Sequence, residues 1–142
     1  MKLNFLEQPF PKHDLPSMRT FRKKCRVPLM ADESVLTPAD AQRVFDSGAA
    51  DGVVIKIAKS GVQGALDIMQ IARRSGKTLA IGCMEESKLG LAASVHLACG
   101  TGAFDWIDLD SVFLLDEPPL RGGFRMSGPR LSVAGVRSGI GI

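Results

Sequence analysis

No apolar run in this chain reaches the roughly 18 residues that a membrane-spanning helix requires, and no charged-then-apolar leader opens it. Cysteine is scarce. Cys25, Cys83 and Cys99 are an odd number, without the Cys-x-x-Cys or Cys/His spacing that holds zinc. Reduced thiols and a cytoplasmic location are the expectation. Charge of one sign is lacking too: a formal net charge of +3 is too small to imply a nucleic-acid or membrane partner. Arg19, Arg22, Lys23, Lys24 and Arg26 do cluster, but at the C-terminal turn of a predicted helix, where cations complement the helix dipole. No aromatic stacking platform accompanies them, so they read as a solvated face. Length is also short. The 142 residues fall well below the roughly 250 of a complete eight-stranded α/β barrel.

What is present is the composition of a globular domain, 45% hydrophobic and 23% charged, with 15 glycines and 8 prolines spread along it. Two patterns alternate. Apolar runs of strand length recur at 3–6, 28–31, 52–58, 78–81 and 106–109. Between them lie segments of helical period. Leu15, Met18, Phe21 and Arg22 begin the first. Thr37-Pro38 opens the second, which carries Ala41, Val44 and Phe45. The third runs from about Val62 to Ser75, with Gly76 suited to its end. The fourth, from about Ser87 to Cys99, is apolar nearly all round and predicts a buried helix.

Strand and helix in alternation mean βαβ units and a parallel sheet, and continuously apolar strands mean that both faces are covered. After Trp106 the pattern changes. Gly122-Gly123, Ser127-Gly128-Pro129 and Gly135 punctuate short stretches that predict a small hairpin followed by a loose tail. With no linker or repeat, the chain reads as one structural unit. Trp106 and the methionines are assigned to the core, His13 to a loop and His96 to a buried helix.

Ionisable residues follow every apolar run. Glu7 follows the first, Asp32 and Glu33 the second, Lys56 and Lys59 lie in and after the third, Glu85 and Glu86 follow the fourth, and Asp108 and Asp110 lie in the fifth. In parallel α/β folds this C-terminal edge of the sheet is where ligands bind. Glu7 and Asp32 make a hard oxygen pair suited to Mg²⁺; the plainer account is that Asp32, Glu33 or Ser34 caps a helix. Lys56 lies within Val53-Val54-Ile55-Lys56-Ile57-Ala58, where a strand would bury it. Burial beside a metal ion would lower its pKa and leave a neutral amine able to take a proton. Lys59 is expected to lay its stem along apolar surface with its head in water. Asp108 and Asp110, two apart on a strand, would share a face and attract a cation such as a substrate ammonium, unless Asp110 caps the following turn.

Three segments, Phe5-Leu6-Glu7-Gln8-Pro9, Met30-Ala31-Asp32-Glu33-Ser34 and Ile55-Lys56-Ile57-Ala58-Lys59-Ser60-Gly61, together resemble the enolase superfamily in its muconate-lactonizing-enzyme subgroup. Glu7, Asp32 and Lys56 recur at intervals of about 25 residues, in agreement. The segment from Ile81 to Gly90 and the Asp108-Leu109-Asp110 triplet resemble the dipeptide epimerase branch. The resemblance implies an α/β fold made of the last five strands of a (β/α)7β TIM-like barrel. Residues 1–120 would form the partial barrel and 121–142 a C-terminal hairpin and tail.

It further implies a Mg²⁺-stabilised enediolate mechanism, in which the metal offsets charge as the α-proton leaves. Glu7 and Asp32 would be metal ligands and Lys56 one of two catalytic lysines. Asp108 and Asp110 would hold the ammonium of a dipeptide substrate, while Cys83 and Glu85 would line its pocket. An acidic Glu85 predicts preference for a basic or polar side chain.

The family's capping domain, its Lys-x-Lys and its first metal-ligating Asp have no counterpart here. With one lysine face the chain is expected not to epimerise, and to bind metal weakly. Self-association, or pairing with a missing N-terminal fragment, is expected of an open barrel. The competing readings are a fragment of a muconate cycloisomerase, an o-succinylbenzoate synthase or an N-acylamino acid racemase, and a non-catalytic truncated remnant. Asp108 and Asp110 favour the dipeptide branch, because the other substrates carry no free ammonium.

Overall fold

The computed structural model describes residues 3–115 and 121–142. Five parallel strands lie in sequence order: β1 (Leu6–Glu7), β2 (Leu29–Ala31), β3 (Gly52–Ile55), β4 (Thr78–Ile81) and β5 (Trp106–Ile107). Helices α1 (Leu15–Arg22), α2 (Pro38–Asp46), α3 (Ile57–Arg74) and α4 (Lys88–Thr101) make the crossovers. A 3-10 turn over Ser111–Phe113 follows β5, and β6 (Arg125–Ser127) pairs antiparallel with β7 (Arg130–Ser132). The expected α/β half-barrel and terminal hairpin are therefore present. The expected division after residue 120 adjoins residues 116–120, which lie outside the described residues.

Local chemistry sets the helix starts. Thr37 and Asp40 form a reciprocal capping box around Pro38 at the start of α2. Asp14 accepts from the Ser17 amide at 3.0 Å to open α1, and Ser87 accepts from the Gly90 amide at 3.3 Å to open α4. The helices bury their apolar stripes against the outward residues of the strands, Leu29, Ala31, Val53, Ile55, Leu79 and Ile81. Two aspartates tie neighbouring strands at the opposite, N-terminal edge. The amide of Leu29 donates to Asp51 at 2.9 Å, and that of Leu79 to Asp105 at 3.1 Å. Arg22, from the basic cluster, pairs with Asp51 at 2.5 Å and donates to the Gly48 carbonyl at 3.2 Å, so it serves the fold.

The inward residues form a second, thinner layer of Met30, Val54 and Ala80, with Phe5 packed against it. The rings of Phe5 and Trp106 lie 5.8 Å apart. Phe5 precedes β1 and Trp106 lies on β5, the two outermost strands, so their contact shows how far the sheet curls. Trp106 is nonetheless 37% exposed, and Met84 and Met126 about half exposed, so these three depart from the expected core. Trp106 sits on an edge strand, with a neighbour on one side alone.

The strands also stop earlier than their apolar runs. β3 ends at Ile55 and β5 at Ile107. Lys56 is the N-cap of α3, whose first turn breaks at Gly61 (φ 68°, ψ 173°) before the helix resumes. Apolar Ile57 and Ala58 thus belong to a helical turn, which hydropathy alone does not separate from a strand. His96 accounts for its position by donating from Nε2 to the Gly123 carbonyl, 2.8 Å away, joining α4 to the hairpin segment. Among the described residues no helix is long and apolar enough to cross a membrane.

Candidate active site

Side-chain alternation carries the concave face of the sheet upward from its apolar floor. Phe5 leads to Glu7, Met30 to Asp32, Val54 to Lys56 and Trp106 to Asp108. Backbone ladder bonds continue past β4 and β5, from the Gly82 amide to the Ile55 carbonyl and from the Asp108 amide to the Ile81 carbonyl, both at 2.9 Å. The residue above Ala80 is Gly82, and its lack of a side chain makes room for a neighbour. A Cβ there would stand 3.1 Å from Cε of Lys56, whose stem crosses that space.

Asp32 is the hub. It is buried, 3% exposed, at the end of β2. Lys56 Nζ reaches its Oδ2 at 2.8 Å, and Lys59 pairs with its Oδ1. Lys59 also donates to the Asp32 carbonyl at 2.8 Å and to the Val54 carbonyl at 3.3 Å. Gln8 holds the same segment from the other side. Its Oε1 accepts from the amides of Asp32 (2.9 Å) and Ser34 (3.2 Å), and its Nε2 donates to Ser34 Oγ (2.8 Å) and the Phe10 carbonyl (2.9 Å). Gln8 adopts φ 38° to do so. Ser34 is therefore held in this bridge and caps no helix.

The charges act on one another. Glu7 stands at the exposed rim, yet its carboxyl is pushed up to about 7 by partial burial, by its hydrogen bond with Asp32 and by the charge of Asp32. Burial alone would raise Asp32 as well, but the hydrogen bonds and charges of Lys56 and Lys59 hold it below the usual carboxylate range. Burial would lower Lys56, and the bond to Asp32 with the charges of Asp32 and Glu7 outweighs it, leaving this ammonium raised. The neutral amine expected from sequence rests on a metal ion beside it; with Asp32 as its partner the charged form is favoured. Burial lowers Lys59. Its side chain is 10% exposed, so its head is in the protein and not in water as expected.

The substrate-side residues gather on the loops after β4 and β5. Cys83 Sγ lies 3.6 Å from the Asp108 carbonyl and 3.7 Å from Asp110 Oδ1. Asp108 also bears on Glu7 electrostatically, so it belongs with the charged layer. Asp110 does not share the strand alternation expected of it. It lies beyond β5 in the right-handed helical region, at the start of the 3-10 turn. Glu85 stands exposed on the loop after β4.

Sequence reasoning selected Glu7, Asp32 and Lys56, which the fold brings together, gave Gln8 no role and placed the head of Lys59 in water. The signal for both was available, since they lie inside the same short motifs as Glu7 and Lys56. Among the described residues no three His, Cys, Asp or Glu side chains converge as a metal cluster. Glu7 and Asp32 still fit a hard cation as two oxygen ligands, the number of carboxylates that Mg²⁺ commonly takes from a protein.

Known proteins share this fold. The Enolase C-terminal domain-like family model matches residues 1–142. An L-Ala-D/L-Glu epimerase of Thermotoga maritima is 46% identical over 127 residues, covering 89% of this chain and 37% of that protein. The substrate-liganded L-Ala-D/L-Glu epimerase of Bacillus subtilis superposes with a TM-score of 0.93 at 34% identity, over 98% of this chain and 39% of that one. A dipeptide epimerase of Methylococcus capsulatus, solved with Mg and the dipeptide L-Arg-D-Lys, gives 0.88 at 38% identity, over 98% and 40%. The chain thus spans about two fifths of the length of these relatives. With its five-stranded half-barrel and the charged layer above it, the chain belongs to the enolase C-terminal domain-like family.

Proposed function

We propose that these residues supply one side of the active site of a Mg²⁺-dependent dipeptide epimerase, which removes and returns the proton on the carbon beside a carboxylate. The observation that carries this reading is the meeting of Glu7, Asp32 and Lys56, from three successive strand ends, over one apolar floor. The relatives named for dipeptide epimerisation, one of them solved with Mg and a dipeptide, support it.

Glu7 and Asp32 would hold the ion. When bound, Mg²⁺ would neutralise the substrate carboxylate and so lower the cost of forming the enediolate. Lys56 would take the α-proton from one face once released from Asp32. Asp108 and Asp110 would face the dipeptide's ammonium, and Cys83 and Glu85 its side chain. The barrel portion, 1–120, would carry these groups, and the hairpin tail, 121–142, would close against α4, where Phe124, Leu131 and Val133 pack with Leu91, Ala92 and Val95.

A base is needed on each face of the α-carbon, and of these 142 residues Lys56 would serve one. By itself the chain is expected to exchange the α-proton with retention at most. Incubation with Mg²⁺ and dipeptides in D2O, read by NMR and chiral chromatography, tests this directly. Deuterium incorporation without inversion supports the reading; inverted product from the 142-residue chain would refute its one-sidedness. A longer polypeptide that carries these residues should epimerise, and should lose that activity on Lys56→Ala. Unchanged activity in that variant would exclude Lys56 as the base. The side-chain preference separates on a panel of Ala-Glu, Ala-Phe and Ala-Lys, where Glu85 favours the basic member; equal turnover of Ala-Glu would remove Glu85 from that role.

A further inference from the structure

The two lysines on Asp32 are not equivalent. Lys59 Nζ meets three acceptors, Asp32 Oδ1, the Asp32 carbonyl and the Val54 carbonyl, one for each of its protons. Those acceptors come from the ends of two neighbouring strands, and the head group is buried at 10% exposure. Lys56 Nζ is joined to Asp32 through Oδ2 and lies in the more open position, at 16% exposure. Its stem runs across Gly82, with no backbone carbonyl among its hydrogen-bond partners over the described residues. The backbone places the pair deliberately. Lys56 is the extended N-cap of α3 and Lys59 lies in the helical turn that follows, so both heads reach one carboxylate, and Gly61 ends that turn at a positive φ.

We propose that Lys59 is a positioning residue. It fixes the Asp32 carboxylate through Oδ1, so that Oδ2 is the one oxygen presented to the concave face. Lys56 occupies that oxygen in an exchangeable way, and a divalent cation competes with it there. The cation part of this inference rests on the proposed Mg²⁺ reading; the fixing of Asp32 does not. Gln8 completes the frame by holding the Asp32 amide, so the residue is clamped at its backbone N–H, its carbonyl and one carboxylate oxygen. Outer partners of this kind orient metal-binding carboxylates, and their loss commonly weakens metal affinity about 10–100-fold.

The test compares Lys59→Met, the milder Lys59→Gln, and Lys59→Arg, with Asp51→Asn as a control that loosens the fold at the opposite edge of the sheet. Binding of Mn²⁺ alone, followed by its EPR signal, should weaken at least about tenfold in Lys59→Met and Lys59→Gln. Lys59→Arg should recover part of the loss, and Asp51→Asn should leave affinity as it was. An equal loss in Asp51→Asn, or unchanged affinity in both Lys59 variants, would overturn the proposal. A crystal structure of Lys59→Gln supplies a metal-independent reading. Rotation of the Asp32 carboxylate away from its present orientation is expected, and an unmoved carboxylate refutes the positioning role. If the unsubstituted protein binds no Mn²⁺ while Lys59→Gln still turns Asp32, positioning stands and the metal reading fails.

Discussion

Lys56 and Glu7 show how far a single side chain depends on the groups around it. The Lys56 stem fits because position 82 has no side chain, so Gly82→Ala should press on both Lys56 and Val54. Overpacking of this sort costs about 1–3 kcal/mol, and the expected outcome is a lower Tm with a lengthened Lys56–Asp32 contact in a crystal structure. Glu7 makes a separate prediction. Its carboxyl is raised in the folded chain from 4.5 to about 7, so the folded state holds a proton that the unfolded state has released between those values. Stability should therefore fall as pH rises through that window and level off above it. Glu7→Gln should remove that part of the decline in a series of denaturant melts; an identical decline in the variant would assign the dependence to another group. Gln8 and Lys59 lie inside the motifs that carry Glu7 and Lys56, but nothing local marks their side chains off from ordinary surface residues. What distinguishes them is the distance to Asp32, which neighbours them only after folding.

At the level of elements, the helix starts were the most legible feature. Thr37-Pro38 identifies the beginning of α2 because the capping box and the proline act within one turn. Thr37→Ala should cost about 1 kcal/mol, measured by chemical denaturation. Strand ends were less legible. An apolar run continues through Ile57 and Ala58, yet β3 ends at Ile55 and the chain turns helical after Lys56, with Lys56 and Lys59 both paired to Asp32. The N-terminal edge of the sheet depends on Asp51, which joins the Leu29 amide to Arg22. Burial would raise its pKa, but the bonds from Arg22 and the Leu29 amide hold it below 3.8. Its contribution is thus present above that value and lost as pH falls through the lower folded one. Asp51→Ala leaves the Leu29 amide without its carboxylate partner and should cost about 1–3 kcal/mol.

The whole molecule presents apolar surface around its last parallel strand, β5. Ile107, Phe113 and Leu114 are each at least 60% exposed, and β1 and β5 are paired on one side. Exposed edges and apolar patches favour association. The 142-residue chain is expected to show concentration-dependent self-association in sedimentation velocity, which a partner supplying further parallel strands would suppress. A strictly monomeric chain across a wide dilution series would contradict this. Trp106 belongs to the same picture. Sequence assigns it to a core by its size, while its exposure depends on which strands stand beside it.

The alternation of strand and helix, the capped helix starts and the charged residue at each strand end are determined by sequence alone. They rest on local periodicity and on interactions spanning three or four residues. The family's motifs are legible for the same reason, being short and contiguous. Tertiary structure decided what those motifs become. It set Asp32 between two lysines and made their roles unequal. It raised Lys56 where burial alone would have lowered it, and it brought Phe5 to Trp106 from opposite edges of the sheet. Each of these depends on groups far apart in the chain, whose mutual distance is fixed by the curl of the sheet and by no local pattern.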